Sequence, residues 1–113
     1  MDDLDALIAR LEKATKPSRA LDMEIAKATG WKVFRGRWLN EHGETCRNVW
    51  EFTASIDAAM HLVPEGYHWE VTGAGYARVR KCWDEIKDFE GRAKNPAIAL
   101  TIAALKARNQ SNG

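Results

Sequence analysis

Histidine, cysteine and paired acids are the residues of this chain that could do chemistry. His42 and Cys46 lie four residues apart in a polar segment. A zinc site needs about four ligands at paired spacings, and a cysteine nucleophile needs a base together with a group that orients the base. The sequence implies neither arrangement. It therefore predicts no metal site, no cofactor and no catalytic residue.

The other arrangements that resemble catalytic motifs also have plain structural interpretations. Asp84 and Glu85 are adjacent, and neighbouring side chains do not face each other on a helix. The segment Gly73-Ala74-Gly75 lacks the longer pattern of a phosphate-binding loop and is typical of a hairpin turn. We therefore expect a protein that is not an enzyme.

Basic and aromatic residues form the one pattern that indicates binding. Tryptophan and arginine often dominate protein interfaces, and binding residues gather on loops that a rigid scaffold supports. Trp38 borders the predicted loop of residues 39–48 and is treated as a loop residue, where burial in the protein's own core is least expected. The first hypothesis is therefore a protein-binding surface. Its residues are Arg35, Arg37, Trp38 and Arg47.

An anionic ligand such as a nucleotide is the alternative, because arginine and an aromatic ring can charge-pair and stack with it. The residues of this second hypothesis are Lys32, His68, Arg78 and Arg80. A third interpretation gives no site at all. In it, Trp31, Trp50 and Trp69 pack in the core and the arginines keep the sheet surface hydrated.

Composition limits the class of protein. The chain has 113 residues, 45% of them apolar, two cysteines and a formal net charge of +1. One domain over residues 1–113 fits this length, and the charge is too balanced for bulk attraction to nucleic acid or a membrane surface. No stretch is long and apolar enough to span a bilayer, and the acidic N-terminus lacks the pattern of a secretory signal. We expect a cytosolic, reduced protein.

Hydrophobic spacing predicts two helices in the N-terminal part of the chain. The first should run from about Asp3 to Ala14, because its apolar residues recur at helical spacing. After a break at Pro17, Ser18 is placed to cap the second helix and Gly30 to end it.

Strand patterns follow these helices. Residues 31–38 alternate bulky side chains and predict a strand, residues 39–48 predict a loop, and residues 49–52 predict a second short strand. Thr53 or Ser55 should then cap a short helix that ends near Leu62. The apolar side of that helix is predicted to be Ile56, Ala59, Met60 and Val63.

Residues 63–66 match a type I turn, and residues 67–72 then alternate as a strand. This strand should pair with residues 76–81, because one register sets apolar residues opposite each other and acid opposite base. That register pairs Val71 with Ala77, Trp69 with Val79, Tyr67 with Lys81, Glu70 with Arg78, and His68 with Arg80. Trp69 and Val79 are expected to share the buried face.

The last helix has no polar side. Asn95 is placed to cap it and Pro96 to occupy its first position, while residues 97–105 are apolar in nearly every direction. Such a helix is buried either within the domain or against a second copy, so a homodimer is one expectation. Residues 109–113 are predicted to be a loose tail.

Three segments resemble the phage ABA sandwich domain, a family of small phage and prophage proteins. The segments are LIARLEKATKPSRALDMEIAKATGW, FTASIDAAMHLVPEGYHWEV and GRAKNPAIALTIAALKAR, in that order along almost the whole chain. Residues 31–48 and 81–90 depart from the likeness. The resemblance implies an α+β fold, a three-layer α/β/α sandwich with a small, mainly antiparallel sheet between helical layers.

The resemblance also implies a phage or prophage origin and the cytoplasm of a bacterial host. It carries no catalytic residues. The first functional hypothesis is therefore a non-enzymatic accessory protein that binds a host or phage protein, with inhibition of host defence as one form of this activity. The alternative is a protein that sequesters an anionic nucleotide signal.

Overall fold

The computed structural model describes residues 3–73, 75–81, 83 and 86–112. Within these residues the fold is α+β. The helices are α1 (Asp3–Lys13), α2 (Arg19–Ala28), α3 (Ile56–Met60) and α4 (Pro96–Asn112). One antiparallel sheet contains β1 (Lys32–Phe34), β2 (Arg37–Leu39) and β3 (Thr45–Cys46). The other contains β4 (His68–Thr72), β5 (Tyr76–Lys81) and β6 (Lys87–Arg92).

In the part of the chain that the structure describes, every helix is too short or too polar to cross a membrane.

Helix α4 is the centre of the core. Every residue from Ala97 to Leu105 is buried, as the apolar sequence predicted. The helix packs on β4, β5 and β6 and also on α1 and α3. Its start is confirmed as well, because Asn95 Oδ1 accepts from the N–H groups of Ala97 at 2.7 Å and Ile98 at 3.2 Å. One protomer therefore encloses α4 without a second copy.

Helical layers on both sides of a central sheet are not confirmed. The inward face of the β4–β5–β6 sheet meets α4, while alternate residues point to the opposite face and are mostly charged. The outward residues of β4 and β5 include His68, Glu70, Arg78 and Arg80. The predicted loose tail also differs from the structure, since α4 continues through residues 109–112.

The first two helices form as predicted. Leu7 and Leu11 of α1 are buried, and Ser18 Oγ accepts from the N–H of Leu21 at 3.2 Å to cap α2. Gly30 follows the last turn at φ +99°, and the N–H of Trp31 donates to the carbonyl of Ala26 at 2.9 Å. This is a Schellman closure, which requires the left-handed backbone that glycine adopts easily.

The register of the β4–β5 hairpin is confirmed from His68 to Thr72, including the Trp69–Val79 and Glu70–Arg78 pairs. Tyr67 precedes β4, so its predicted pairing with Lys81 is outside the ladder. The expected burial of Trp69 is wrong, because the residue is 41% exposed while Val79 is fully buried. Strand β4 is an edge strand, and β6, which the sequence did not predict, covers the other side of β5.

The region between α2 and α3 corrects several predictions. The strand predicted over residues 31–38 is two strands joined at a tight turn, and the loop predicted over residues 39–48 contains β3. Residues 49–52 are not a strand. Ser55 is the cap of α3, with Ala59 buried as expected, but Ile56 and Met60 are exposed.

The turn after α3 closes one residue later than predicted. The N–H of Tyr67 donates to the carbonyl of Pro64 at 3.2 Å, and Gly66 has φ +87°. Positive φ at the third residue of Pro64–Tyr67 is typical of a type II turn.

A buried polar junction replaces the strand predicted over residues 49–52. Asp22 Oδ1 accepts from both the N–H and the hydroxyl of Thr53 at 2.8 Å. The Thr53 hydroxyl also accepts from the N–H of Ser18 at 2.9 Å, and Asn95 Nδ2 donates to the Thr53 carbonyl at 3.1 Å. These bonds join the start of α2, the segment before α3 and the start of α4.

Leu100→Ala should destabilise the fold by about 2–5 kcal/mol, because Leu100 is fully buried in α4 and truncation of a core leucine leaves a cavity. Urea unfolding followed by circular dichroism measures the change. Met23→Ala is the control, since Met23 is 40% exposed and should cost much less. A loss below about 1 kcal/mol for Leu100→Ala would show that α4 is peripheral.

Gly91→Ala should destabilise the fold by about 1–3 kcal/mol through overpacking. A Cβ at Gly91 would collide with the carbonyl oxygen of Ala99 and lie 2.9 Å from the Ala103 nitrogen, so only glycine lets β6 approach α4 this closely. Gly73→Ala is the matched control, because a Cβ there meets nothing within 4 Å. Equal melting temperatures for the two variants would contradict this packing.

Candidate functional site

The candidate site is centred on a two-residue turn between β1 and β2. Arg35 (φ +53°) and Gly36 (φ +77°) form the turn between β1 and β2, and both have the positive φ of a type I′ hairpin. We call residues 32–39 the β1–β2 arm. Phe34 lies opposite Arg37 at its tip. The predicted site residues Arg35 and Arg37 therefore belong to one hairpin.

Strand β3 adds Arg47 to the same small sheet. Trp38 pairs with Cys46 across the β2–β3 ladder, and Arg47 directly follows Cys46 in the chain. Arg37 and Trp38 thus lie in a strand of this sheet, and Arg35 lies in its β1–β2 turn. Arg47 directly follows β3, so all four residues of the first binding hypothesis belong to this part of the structure. Lys32, which belonged to the second hypothesis, lies in the arm as well.

Trp38 is not the exposed loop residue that the sequence predicted. It lies in β2, is half-buried, and its ring centroid is 6.5 Å from that of Trp31 at an interplanar angle of 65°. Trp31 is buried and also contacts Trp50 and Phe52 edge to face, at 5.2 and 6.1 Å. Trp38 therefore attaches the arm to an aromatic cluster of the core.

Two exposed apolar residues of the arm were missed by sequence reasoning. Val33 is 61% exposed and Phe34 is 58% exposed, although they are neighbours in a strand and point to opposite faces. The Arg35 guanidinium lies 5.2 Å from the centre of the Phe34 ring. The glycine within residues 31–38 was the available signal, because a turn there places both apolar residues near a tip and away from the core.

The basic residues of this sheet are available to a partner. Lys32, Arg35, Arg37 and Arg47 are exposed, and none of them makes a salt bridge with a residue that the structure describes. The acids of the β2–β3 loop have other partners. Glu41 receives two hydrogen bonds from Arg108, at 2.8 and 3.1 Å, and Glu44 accepts from Asn40 Nδ2 at 2.7 Å.

The residues of the second hypothesis are brought together only in part. His68, Arg78 and Arg80 share the outward face of the β4–β5–β6 sheet and line a shallow cleft of about 230 Å³ together with Trp69 and Glu70. Lys32 lies in the other sheet.

The two arginines of this face are neutralised by neighbouring carboxylates. Arg80 donates to both oxygens of Asp88 at 2.6 and 3.1 Å, and Arg78 forms a salt bridge with Glu70. The Arg80 hydrogen bond lowers the pKa of Asp88, so the carboxylate stays charged. The face alternates in charge, and it does not present the convergent bases that an anionic ligand would need.

The cysteine and histidine residues do not form a chemical site in the described ranges. Burial, and secondarily the charge of Glu44, raises the pKa of the Cys46 thiol, which is the opposite of nucleophile activation. Groups of three or more potential metal ligands are likewise absent from the residues that the structure describes. Cys82 and the predicted Asp84–Glu85 acid pair lie outside them.

No family model matches this chain, and neither the curated proteins nor the solved structures compared with it give a match. The resemblance to the phage ABA sandwich domain therefore stays a prediction.

Trp38→Ala should lower the melting temperature, whereas Arg37→Ala should leave it nearly unchanged. The reason is that Trp38 packs against Trp31, while the Arg37 side chain is exposed. Truncation of a packed aromatic costs up to about 3–5 kcal/mol, and the half-burial of Trp38 places the expected loss below that range. Thermal unfolding measures both variants, and a Trp38→Ala protein as stable as the parent would show that the arm is not anchored in this way.

Proposed function

We propose that this chain is a non-enzymatic accessory protein of a phage or prophage, and that it binds a host or phage protein through the β1–β2 arm. Inhibition of host defence is one form that this binding takes. The observation that carries the proposal is the combination of exposed Val33 and Phe34 with four exposed basic side chains that lack a described salt-bridge partner. The phage origin, the bacterial cytoplasm and the sandwich family rest on the three resembling segments.

The arm has the physical properties of a contact surface. Exposed apolar side chains such as Val33 and Phe34 gain free energy when a partner removes them from water. Arginine adds directional hydrogen bonds, because its planar guanidinium can bind a carboxylate through two parallel bonds. The arm therefore fits a partner that offers an apolar groove bordered by aspartate or glutamate.

The scaffold supports this role as well. The half-buried Trp38 holds the base of the arm against Trp31, so the tip residues are presented by a hairpin that is already ordered. An ordered surface loses less conformational entropy on binding than a mobile loop does.

The second candidate is nucleotide sequestration at the outward face of β4 and β5. The cleft that His68, Trp69 and Arg80 help to line favours it. Ligand phosphates would have to compete with Glu70 and Asp88 for the arginines, which lowers the expected affinity. Titration with anionic nucleotides, followed by tryptophan fluorescence, tests this candidate directly.

Phe34→Ala combined with Arg37→Ala should leave the fold intact and weaken partner binding by at least about 30-fold, the effect of losing a hot spot worth roughly 2 kcal/mol. The two residues face each other near the tip of the arm, and both are exposed. The partner is identified by capture from bacterial lysate, and its affinity for each variant is then measured by calorimetry with purified proteins.

Ile86→Ala combined with Arg92→Ala is the matched control. It removes one exposed apolar side chain and one exposed arginine outside the arm, so binding should be unchanged. If the arm variant stays folded and retains full affinity while the control variant loses it, the contact surface is not the arm.

A further inference from the structure

The β4–β5–β6 sheet has two edges, and they are protected differently. Antiparallel edge strands present unpaired N–H and C=O groups, and natural proteins usually shield them with charge, proline or a covering side chain. Strand β6 carries four charged residues, and the Lys106 ammonium donates to the carbonyl of Glu90 at 2.9 Å. Strand β4 contains neither lysine nor proline, and its central Trp69 is 41% exposed.

We propose that β4 pairs antiparallel with β4 of a second copy. The two copies are related by a two-fold axis, and their three-stranded sheets together form one six-stranded sheet. The axis passes beside Trp69, which lies opposite Trp69 of the second copy. His68 then faces Glu70 of the second copy, and Tyr67 faces its Val71. Apolar residues meet on the inward face, and a base meets an acid twice on the outward face.

Charge selects this register over its neighbours. The two inward faces must lie on the same side of a continuous sheet, so the axis has to pass beside a residue and not between two. A register centred on Glu70 would place two glutamates opposite each other, and one centred on His68 would oppose two histidines. A register centred on Val71 sets Glu70 against Thr72. Only the register centred on Trp69, among these four, pairs opposite charges when the imidazole is protonated.

The proposed pairing also continues a pattern that each protomer already has. On the outward face, Asp88, Arg80 and His68 form one row across the sheet, while Glu90, Arg78 and Glu70 form another. Joining His68 of the first row to Glu70 of the second copy adds an acid–base pair at the seam, whereas Arg80 and His68 are neighbouring bases within each protomer. The self-complementary charges and the exposed Trp69 therefore indicate a second copy as the occupant of this edge.

Sedimentation of the full chain across the micromolar range tests the proposal. The expected species has about twice the 12.7 kDa mass of one chain. His68→Glu should raise the dissociation constant of the dimer by roughly tenfold or more. The new glutamate of each copy would face Glu70 of the other, so two pairs of like charges would replace two histidine–glutamate pairs. Within a protomer the new carboxylate lies opposite Arg80, so folding should be retained, as a thermal melt would check. Ala9→Glu, which adds a glutamate on the exposed side of α1, is the control and should leave the dimer intact.

Cysteine cross-linking tests the register itself. With Cys46 and Cys82 replaced by serine, Trp69→Cys should form a disulfide-linked dimer under mild oxidation, since directly opposite residues have Cα atoms about 4.5–5.5 Å apart. Val71→Cys is the control on the same strand and face. Its counterpart would lie four residues away along the second strand, about 13 Å, which is too far for a disulfide.

A wild-type protein that sediments only as a single chain would overturn the proposal. So would a dimer whose dissociation constant is unchanged by His68→Glu, or one that cross-links through Val71→Cys and not through Trp69→Cys. These outcomes are independent of the β1–β2 arm, because the arm variant should remain dimeric.

Discussion

The enclosure of α4 is the constraint on which the rest of the structure depends. A helix with no polar side must be covered in every direction, and a chain of 113 residues has few elements with which to do so. The β4–β5–β6 sheet covers one side and α1 with α3 cover others. Alanines at positions 99 and 103 allow Gly91 of β6 to approach the helix backbone, so the sheet packs closer than larger side chains would permit. The inward face of this sheet is therefore committed to α4, and only its outward face and its edges remain for recognition.

The junction at Thr53 connects this core to the part of the chain that carries the arm. The segment before α3 has no strand partner, so its polar groups need other hydrogen bonds. Asp22 is buried, and it accepts from the Thr53 hydroxyl and backbone N–H, while Asn95 and Thr101 donate to the carbonyls of Thr53 and Phe52. These bonds fix the aromatic cluster beside α4, and Trp38 packs on that cluster through Trp31. The direction of the exposed arm thus follows from contacts deep in the protein.

Local sequence signals predicted the helix caps and the β4–β5 hairpin. Strands β3 and β6, which depend on pairing with other strands, were not predicted. Ser18 and Asn95 were identified as caps, and Ser55 as one of two candidates, because a cap depends on a few neighbouring residues. The β4–β5 register followed from one hairpin. Strand β3 is two residues long, and β6 carries four charges, so neither has a clear strand pattern. The candidate site was located by its arginines, but its apolar half was missed. A turn at Arg35-Gly36 looked like the interior of one strand, and the exposure of Phe34 depends on that turn.

The unpredicted strand β6 explains in part why the two binding hypotheses could not be separated from the sequence. Its Asp88 pairs with Arg80, whereas the pairing of Glu70 with Arg78 was predicted. Arginine is present on β2 and on β5, and sequence alone gives both groups the same charge. On β5 the neighbouring strands supply Asp88 and Glu70, so Arg80 and Arg78 are neutralised within the sheet. On β2 the neighbouring positions are Phe34 opposite Arg37 and a half-buried Cys46 opposite Trp38, so no carboxylate lies directly across from Arg37. Whether an arginine is a structural or an interaction residue is thus decided by what its cross-strand partner is, and here this distinction favours the arm as the surface that contacts another molecule.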